Sequence, residues 1–297
     1  FFVQASLPRP HARYTPSEPF WSMYDEGEIS LPPNVDHDMQ GKAPNLRQMA
    51  ERYSTGDWTL FDPPTHEAGR LRKLHGYLGC VSQVDQAVGD LLDWLDQKNL
   101  AENTIVVYTT DHGDYACEHG IMEKAPGISS DAITRIPYIW RFPGHAEGGK
   151  TVHETVEAVD PATTMCSLAG IEPMETADGN DITKVLSEGR GDTDRIGVTE
   201  FAWSRSIRWD RFRFVYYPRE MFASDYPDGF AELYDTQEDP WEMNNLYFEE
   251  EHRVLAQKMK DRLFDWLVTT TRPITTLGVR SGSGGPGHLE YEDQRVT

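Results

Sequence analysis

Apolar positions follow two rhythms along this chain. Between 66 and 98, Leu71, Leu74, Leu78, Val81, Val88, Leu92 and Leu95 recur three or four residues apart, the spacing of a long amphipathic helix that lays one stripe against a sheet. Asp85 falls inside that stripe, where a carboxylate needs a partner, and it reads as structural. Asn99 suits a left-handed helix end with Leu100 packing back. The second rhythm is short runs of β-branched and aromatic residues, at 105–110, 136–142 and 156–160, which predict strands. Residues 161–169 predict a helix that opens on Pro161 and ends at Gly170. Such alternation of helix and strand predicts an α/β fold with a mainly parallel sheet flanked by helices.

The two ends of the chain differ from this middle. Residues 1–7 are apolar enough for a strand buried on both faces, ending at Pro8 and Pro10. A chain that opens inside a core strand is expected to be the carboxyl-terminal portion of a longer polypeptide. From Pro16 to about Asn45 a long ordered loop is expected, because Phe20, Trp21 and Tyr24 need packing partners. Beyond about 190, short runs at 196–201, 206–209, 212–217 and 232–234, separated by turns, predict an antiparallel sheet, and 255–268 predicts an amphipathic helix. Residues 281–287 are rich in Gly and Ser. The expected organisation is an α/β part over 1–189, a small α+β part over 190–280 and a mobile tail over 281–297.

Charge narrows the function. A net charge of −21 argues against nucleic-acid binding, since phosphates need a basic face. An anionic substrate must then meet a locally positive spot built from a cation, Lys124, His11 or groups from outside the chain. No apolar run reaches the roughly 18 residues a membrane span needs. Cys80, Cys117 and Cys166 are too scattered for a disulfide framework and read as reduced thiols. His66-Glu67 and His153-Glu154 lack the second His of a zinc-protease helix, and Asp36-His37-Asp38 reads as solvated loop.

The concentrated chemistry lies where the run Ile105-Val106-Val107-Tyr108-Thr109-Thr110 ends in Asp111-His112-Gly113-Asp114. A hard oxygen donor and an imidazole at a strand end can share one cation, and Gly113 lets the backbone turn away. The bland alternative is a polar loop with Asp111 as a cap. Ten residues on come Glu118-His119-Gly120 and Lys124, then Arg135-Ile136-Pro137 leading to Pro143-Gly144. Far along the chain stands Leu233-Tyr234-Asp235-Thr236-Gln237-Glu238-Asp239-Pro240-Trp241-Glu242-Met243-Asn244-Asn245-Leu246. In order and spacing these stretches resemble the sulfatase family of the alkaline-phosphatase-like superfamily.

That resemblance implies an alkaline-phosphatase-like catalytic fold and a hydrolase acting on a small-molecule or carbohydrate sulfate ester at a divalent cation. It implies Asp111 and His112 as metal ligands, with Ca²⁺ the family's ion and Mn²⁺ or Zn²⁺ the alternatives. It implies His11 near the leaving-group oxygen and Lys124 on the sulfuryl group, and a structural role for the acidic turn 235–245 in tying the last sheet to the rest. The match around His11 is imperfect, since Ala12-Arg13-Tyr14 stand where relatives place a Pro-aromatic pair. The family's nucleophile motif, Cys/Ser-x-Pro-x-Arg with the Cys converted to formylglycine, does not occur, nor does its Asp-Asp pair. The isolated residues are therefore expected to be inactive. Phosphonate or phosphate ester hydrolysis, and a non-catalytic binding module, are the other readings.

Overall fold

The computed structural model describes residues 1–56, 66–124, 128–144, 148–174, 176–191, 194–201 and 203–270. The helices are α1 (Pro44–Thr55), α2 (Glu67–Gln97), α3 (Asp131–Thr134), α4 (Asp160–Leu168), α5 (Thr183–Glu188) and α6 (Arg253–Thr270). The strands are β1 (Val106–Thr109), β2 (Tyr138–Arg141), β3 (Gly197–Glu200), β4 (Arg205–Trp209), β5 (Phe212–Tyr216) and β6 (Ala231–Asp235). The tail expected to be mobile, 281–297, lies outside the described residues.

Both sheets are antiparallel. Among the described residues β1 pairs with β2 alone, Val106 opposite Arg141 and Thr109 opposite Tyr138. A parallel partner is usually reached by a crossover helix. The described chain between these strands forms a short 3-10 turn at Glu118–Gly120 and the four-residue α3, and the expected mainly parallel sheet is not found among the described residues. Residues 156–160 are not a strand either. Asp160 is fully buried and its carboxylate accepts from the Glu157 and Asn180 amides at 2.7 and 2.9 Å and from Arg195 at 2.8 Å. The segment therefore wraps around a buried charge and opens α4. Residues 1–7 are exposed and unpaired, with Phe1 88% and Phe2 74% accessible.

α2 forms as its periodicity predicts, and Asn99 takes the left-handed conformation (φ 55°) with the Leu100 amide donating to Leu95. The side it buries is not the leucine stripe. Its buried residues are His75, Gly76, Gly79, Cys80 and Val84, while Val81 and Asp85 are exposed, so Asp85 needs no partner. The glycines explain the choice: a Cβ on Gly76 would stand 2.2 Å from the Tyr14 carbonyl and one on Gly79 2.7 Å from that of Phe20. Two bare positions let the 14–20 segment lie directly on the helix. α1, inside a Pro- and acid-rich stretch, starts at Pro44 and stops at Gly56 (φ 76°).

The last four strands run as a meander in chain order. One face of this sheet packs Ile207, Phe214 and Leu233 on Ala256, Met259 and Leu263 of α6. Val215 and Tyr217 instead join a second core with Tyr14, Leu46, Tyr53, Tyr115, Ile121 and Ile133. The acidic turn ties the two together, as its composition suggested. Glu242 accepts from the buried Arg213 of β5, from Ser130 Oγ at 2.9 Å and from the Asp131 amide. Asn245 Nδ2 donates to the Gly41 and Ala231 carbonyls at 2.8 and 3.1 Å.

Candidate active site

β1 delivers Asp111 and His112 from its carboxyl end. The next residue, Gly113, is fixed by close approach: a Cβ there would be 2.0 Å from the Ala132 carbonyl, and the Gly113 amide donates to Ile133 at 2.8 Å. This is a tighter reason for glycine than a free turn. His112 Nδ1 lies 2.8 Å from the Gly113 carbonyl, which can only accept, so Nδ1 carries the proton and the Nε2 lone pair faces outward. Lys124 Nζ donates to that Nε2 at 2.8 Å, and an Asp111 carboxylate oxygen stands 3.5 Å from it.

Asp111 is pinned by its own turn. The Thr110 hydroxyl and the His112 amide donate to Oδ1 at 3.2 and 3.0 Å. Partial burial pushes its carboxyl up, but His112 and these hydrogen bonds outweigh burial and hold it below the ordinary aspartate value. The strand end therefore sets a carboxylate beside an imidazole nitrogen, two donor types suited to a divalent cation, with the imidazole lone pair accepting from the Lys124 ammonium. Among the described residues, three metal-capable side chains converge within 4.8 Å only at Glu249, Glu251 and His252. That group precedes α6, where its negative charge opposes the helix dipole.

Lys124 ends a loop of unusual backbone. Ala116, Cys117, His119, Gly120 and Glu123 all have positive φ, a conformation that non-glycine residues hold only when their surroundings impose it. The surroundings are visible. Tyr115 N donates to Glu123 O and Cys117 N to Ile121 O, at 3.0 and 2.8 Å. Asp114 accepts from the Ala116 and Glu123 amides. Tyr53 donates to the Met122 carbonyl at 2.6 Å. Glu123 is pushed up to about 7, by burial first and Asp114 second, while His11, Lys73 and Lys124 pull it down. His11, from the N-terminal loop, and Lys124 thus act on one carboxyl although 113 positions separate them in sequence. His11 is exposed, and its Nδ1 donates to Ala12 O at 2.8 Å, the same tautomer as His112.

Under this surface lies a polar cluster that joins Glu118 and His119 of the sequence motif to Asn34 and Lys42, which sequence did not single out. Asn34 Nδ2 donates to the Trp241 carbonyl at 3.0 Å and contacts Glu118 Oε2 and His119 Nε2 at 3.2 and 3.3 Å. Burial pushes Glu118 up to about 7, and burial, with Lys42 and His37 nearby, pushes His119 down to about 2. Lys42, 2% exposed, sits 4.3 Å over the Tyr234 ring. The Glu118-His119-Gly120 motif thus faces inward and holds the loop, while Lys124 faces out. Asn34 and Lys42 belong to no such motif, and only the neighbouring apolar core marks them in sequence, weakly.

A profile described as Sulfatase matches residues 1–171, and one described as N-sulphoglucosamine sulphohydrolase, C-terminal, matches residues 117–268. The uncharacterized sulfatase YidJ of Escherichia coli (strain K12) is 29% identical over 277 residues, which is 90% of this chain and 51% of that protein. The chain spans about half the length of the curated relatives it matches. The solved structure of BT4656 in complex with its substrate D-glucosamine-2-N,6-O-disulfate aligns with TM-score 0.72 at 21% identity, covering 88% of this chain and 63% of that one. The phosphonate monoester hydrolase SpPMH from Silicibacter pomeroyi aligns equally well, TM-score 0.72 at 20% identity over 88% and 54%. At these identities the two structures speak for the fold alone. The Sulfatase profile covers more than half of the residues and takes in Asp111-His112, the Glu118-His119-Gly120 turn and Lys124; the chain belongs to the sulfatase family.

Proposed function

We propose that this chain carries the cation- and sulfate-contacting part of a hydrolase that cleaves sulfate esters of a small molecule or carbohydrate. The observation that carries the reading is the strand end itself. Gly113 holds the His112 proton on Nδ1, so that Nε2 faces the Lys124 ammonium at 2.8 Å and the Asp111 carboxylate at 3.5 Å. Asp111 and His112 hold the divalent cation in this reading, and Ca²⁺ is the ion the family resemblance favours. Once bound, the cation supplies Lewis acidity toward the sulfuryl oxygens. Lys124 and His11 add positive charge and a hydrogen bond to the same group, the kind of preorganised stabilisation that usually matters most in such transfers. The sulfate ester, rather than a free anion, fits the relatives named sulfatases and the disulfated glucosamine held by BT4656.

The nucleophile is not assigned to any residue here, since no Cys/Ser-x-Pro-x-Arg sequence occurs. Phosphonate or phosphate ester hydrolysis with Mn²⁺ or Zn²⁺ stands second, favoured by the shared fold with SpPMH and by an imidazole among the donors. We also propose the division into an α/β part over 1–189 and a smaller part over 190–280.

Calorimetric titration of the 297-residue chain with Ca²⁺, Mn²⁺ and Zn²⁺ tests the ligand assignment. Asp111→Asn should lower cation affinity at least about tenfold, because a neutral amide donates less charge to a hard cation, with the circular dichroism unchanged. Equal affinities in variant and parent refute the assignment.

A further inference from the structure

Asp114 is the last residue of the strand-end motif, and the functional reading leaves it without a task. It is not available as a third cation ligand. Its Oδ1 accepts from the Ala116 amide at 2.8 Å and from the Glu123 amide at 2.9 Å, and its Oδ2 accepts from the Tyr14 hydroxyl at 2.7 Å. Oδ1 has both lone pairs in use. What these three partners share is their position. Ala116 opens the positive-φ loop and Glu123 closes it, one residue before Lys124. Tyr14 is buried, 6% exposed, in the N-terminal loop that carries His11. That loop is itself braced: Arg9 donates to the Arg13 and Thr15 carbonyls at 2.7 and 2.9 Å, and the Tyr14 backbone lies against the bare Gly76 of α2.

We propose that Asp114 is the positioning residue that sets the separation between His11 and Lys124, holding Lys124 through the Glu123 amide and His11 through the Tyr14 hydroxyl. The inference rests on the reading of His11 and Lys124 as contacts to one sulfate. Both side chains are exposed. An anion that must touch both gains from a rigid link between their loops, because ordering two free side chains on binding costs affinity. A single carboxylate that accepts from both loops supplies the link. Its bonds to backbone amides also explain how residues 116 and 123 keep a left-handed conformation without being glycine.

Two variants separate the arms of the link. Tyr14→Phe removes only the hydroxyl on the His11 side, while Asp114→Ala removes both sides. The first readout needs no ligand: the ¹⁵N shift of His112 Nε2 reports the hydrogen bond from Lys124. It should be unchanged in Tyr14→Phe and should move in Asp114→Ala to the value seen in Lys124→Ala. The second is inorganic sulfate affinity, followed at the His11 ring proton. Tyr14→Phe should weaken sulfate about tenfold, and should add nothing further in a His11→Ala background, the non-additivity expected of groups acting as one unit. Thermal melting controls for folding, because a purely structural role lowers stability without selecting one arm. An Asp114→Ala protein with the parental His112 shift, or a Tyr14→Phe loss that adds fully to that of His11→Ala, overturns the proposal. If the parent binds sulfate no better than Lys124→Ala, the functional reading falls, while the His112 shift still decides whether Asp114 positions Lys124.

Discussion

The two sheets of this molecule are held by different means. In the four-stranded sheet every residue of β6 is buried, Ile207, Val215 and Leu233 have no accessible surface, and α6 covers one face. The two-stranded sheet that bears the site has no fully buried residue; Ile139 is 61% exposed, and Ile105, just before β1, 36%. An isolated pair of strands is marginal in water. Its order comes from polar and backbone contacts beyond the strand end: Gly113 against Ala132, and Asp114 across the loop. Burial makes the carboxyl-terminal sheet a stable platform. The site is attached to that platform through Ser129, Ser130 and Asp131, which bond to Arg213 and Glu242.

The joint between the two regions is therefore where the largest effect is expected. Arg213 and Glu242 are 2% exposed and bonded to each other. Burial pushes the Glu242 carboxyl up, but Arg213, with Lys42 behind it, holds it below the ordinary value. Glu242→Ala leaves the guanidinium buried without its partner, at a cost of about 3–5 kcal/mol. Denaturant unfolding should record a loss of that size, and the Ser129–Asp131 amides should lose hydrogen-exchange protection with it. A loss below about 1 kcal/mol means that the joint is not what couples site to sheet.

One matched pair of truncations sharpens the contrast. Leu233→Ala in β6 removes a side chain with no exposed surface and should cost about 3 kcal/mol, within the range for buried leucines. Ile139→Ala in β2 should cost less than about 1 kcal/mol, because most of that side chain already meets water. Equal losses would mean that β1 and β2 are packed in solution against something that covers Ile139.

This contrast also sorts what sequence can reveal. β3 to β6 and α6 were legible because alternation and turns are local signals, and their core forms from neighbours in the chain. The periodicity of α2 was legible, but its buried side was not. Leucines mark a stripe, whereas here Gly76 and Gly79 select the face by admitting Tyr14 and Phe20, and a glycine carries no hydropathic signal. The run at 156–160 looked like a strand because Val156 and Val159 are β-branched, yet the buried Asp160 and its bonds override that preference. In the site, the adjacency of Asp111 and His112 was legible, as was Lys124 through the family resemblance. The bond between Asp114 and Tyr14 was not, because it spans 100 positions, and the strand-end motif that contains Asp114 gives no sign of its partner.

A pH-dependent effect is predicted in the buried cluster beneath the site. Glu118 has its carboxyl raised from 4.5 to about 7, chiefly by burial, so the native state favours the protonated form. The sign follows from linkage: stability owed to this group is present in full below about pH 4.5 and is lost as pH rises through about 7. His119 works the other way. Its imidazole is depressed to about 2, chiefly by burial, so its contribution is present above about 6.5 and is lost as pH falls toward 2. Between about 4.5 and 6.5 the two slopes oppose each other and the parent's stability changes little on their account. Glu118→Gln removes one slope and retains a neutral group that can still accept from Asn34. The variant should therefore gain on the parent as pH rises from 4.5 to 7.5, by on the order of 2 kcal/mol after discounting for partial exposure. Urea unfolding of both proteins at half-unit pH intervals measures the difference directly. A difference that stays flat across this window would show that Glu118 is ionised throughout, and that the loop carrying Lys124 rests on a charged rather than a protonated carboxyl.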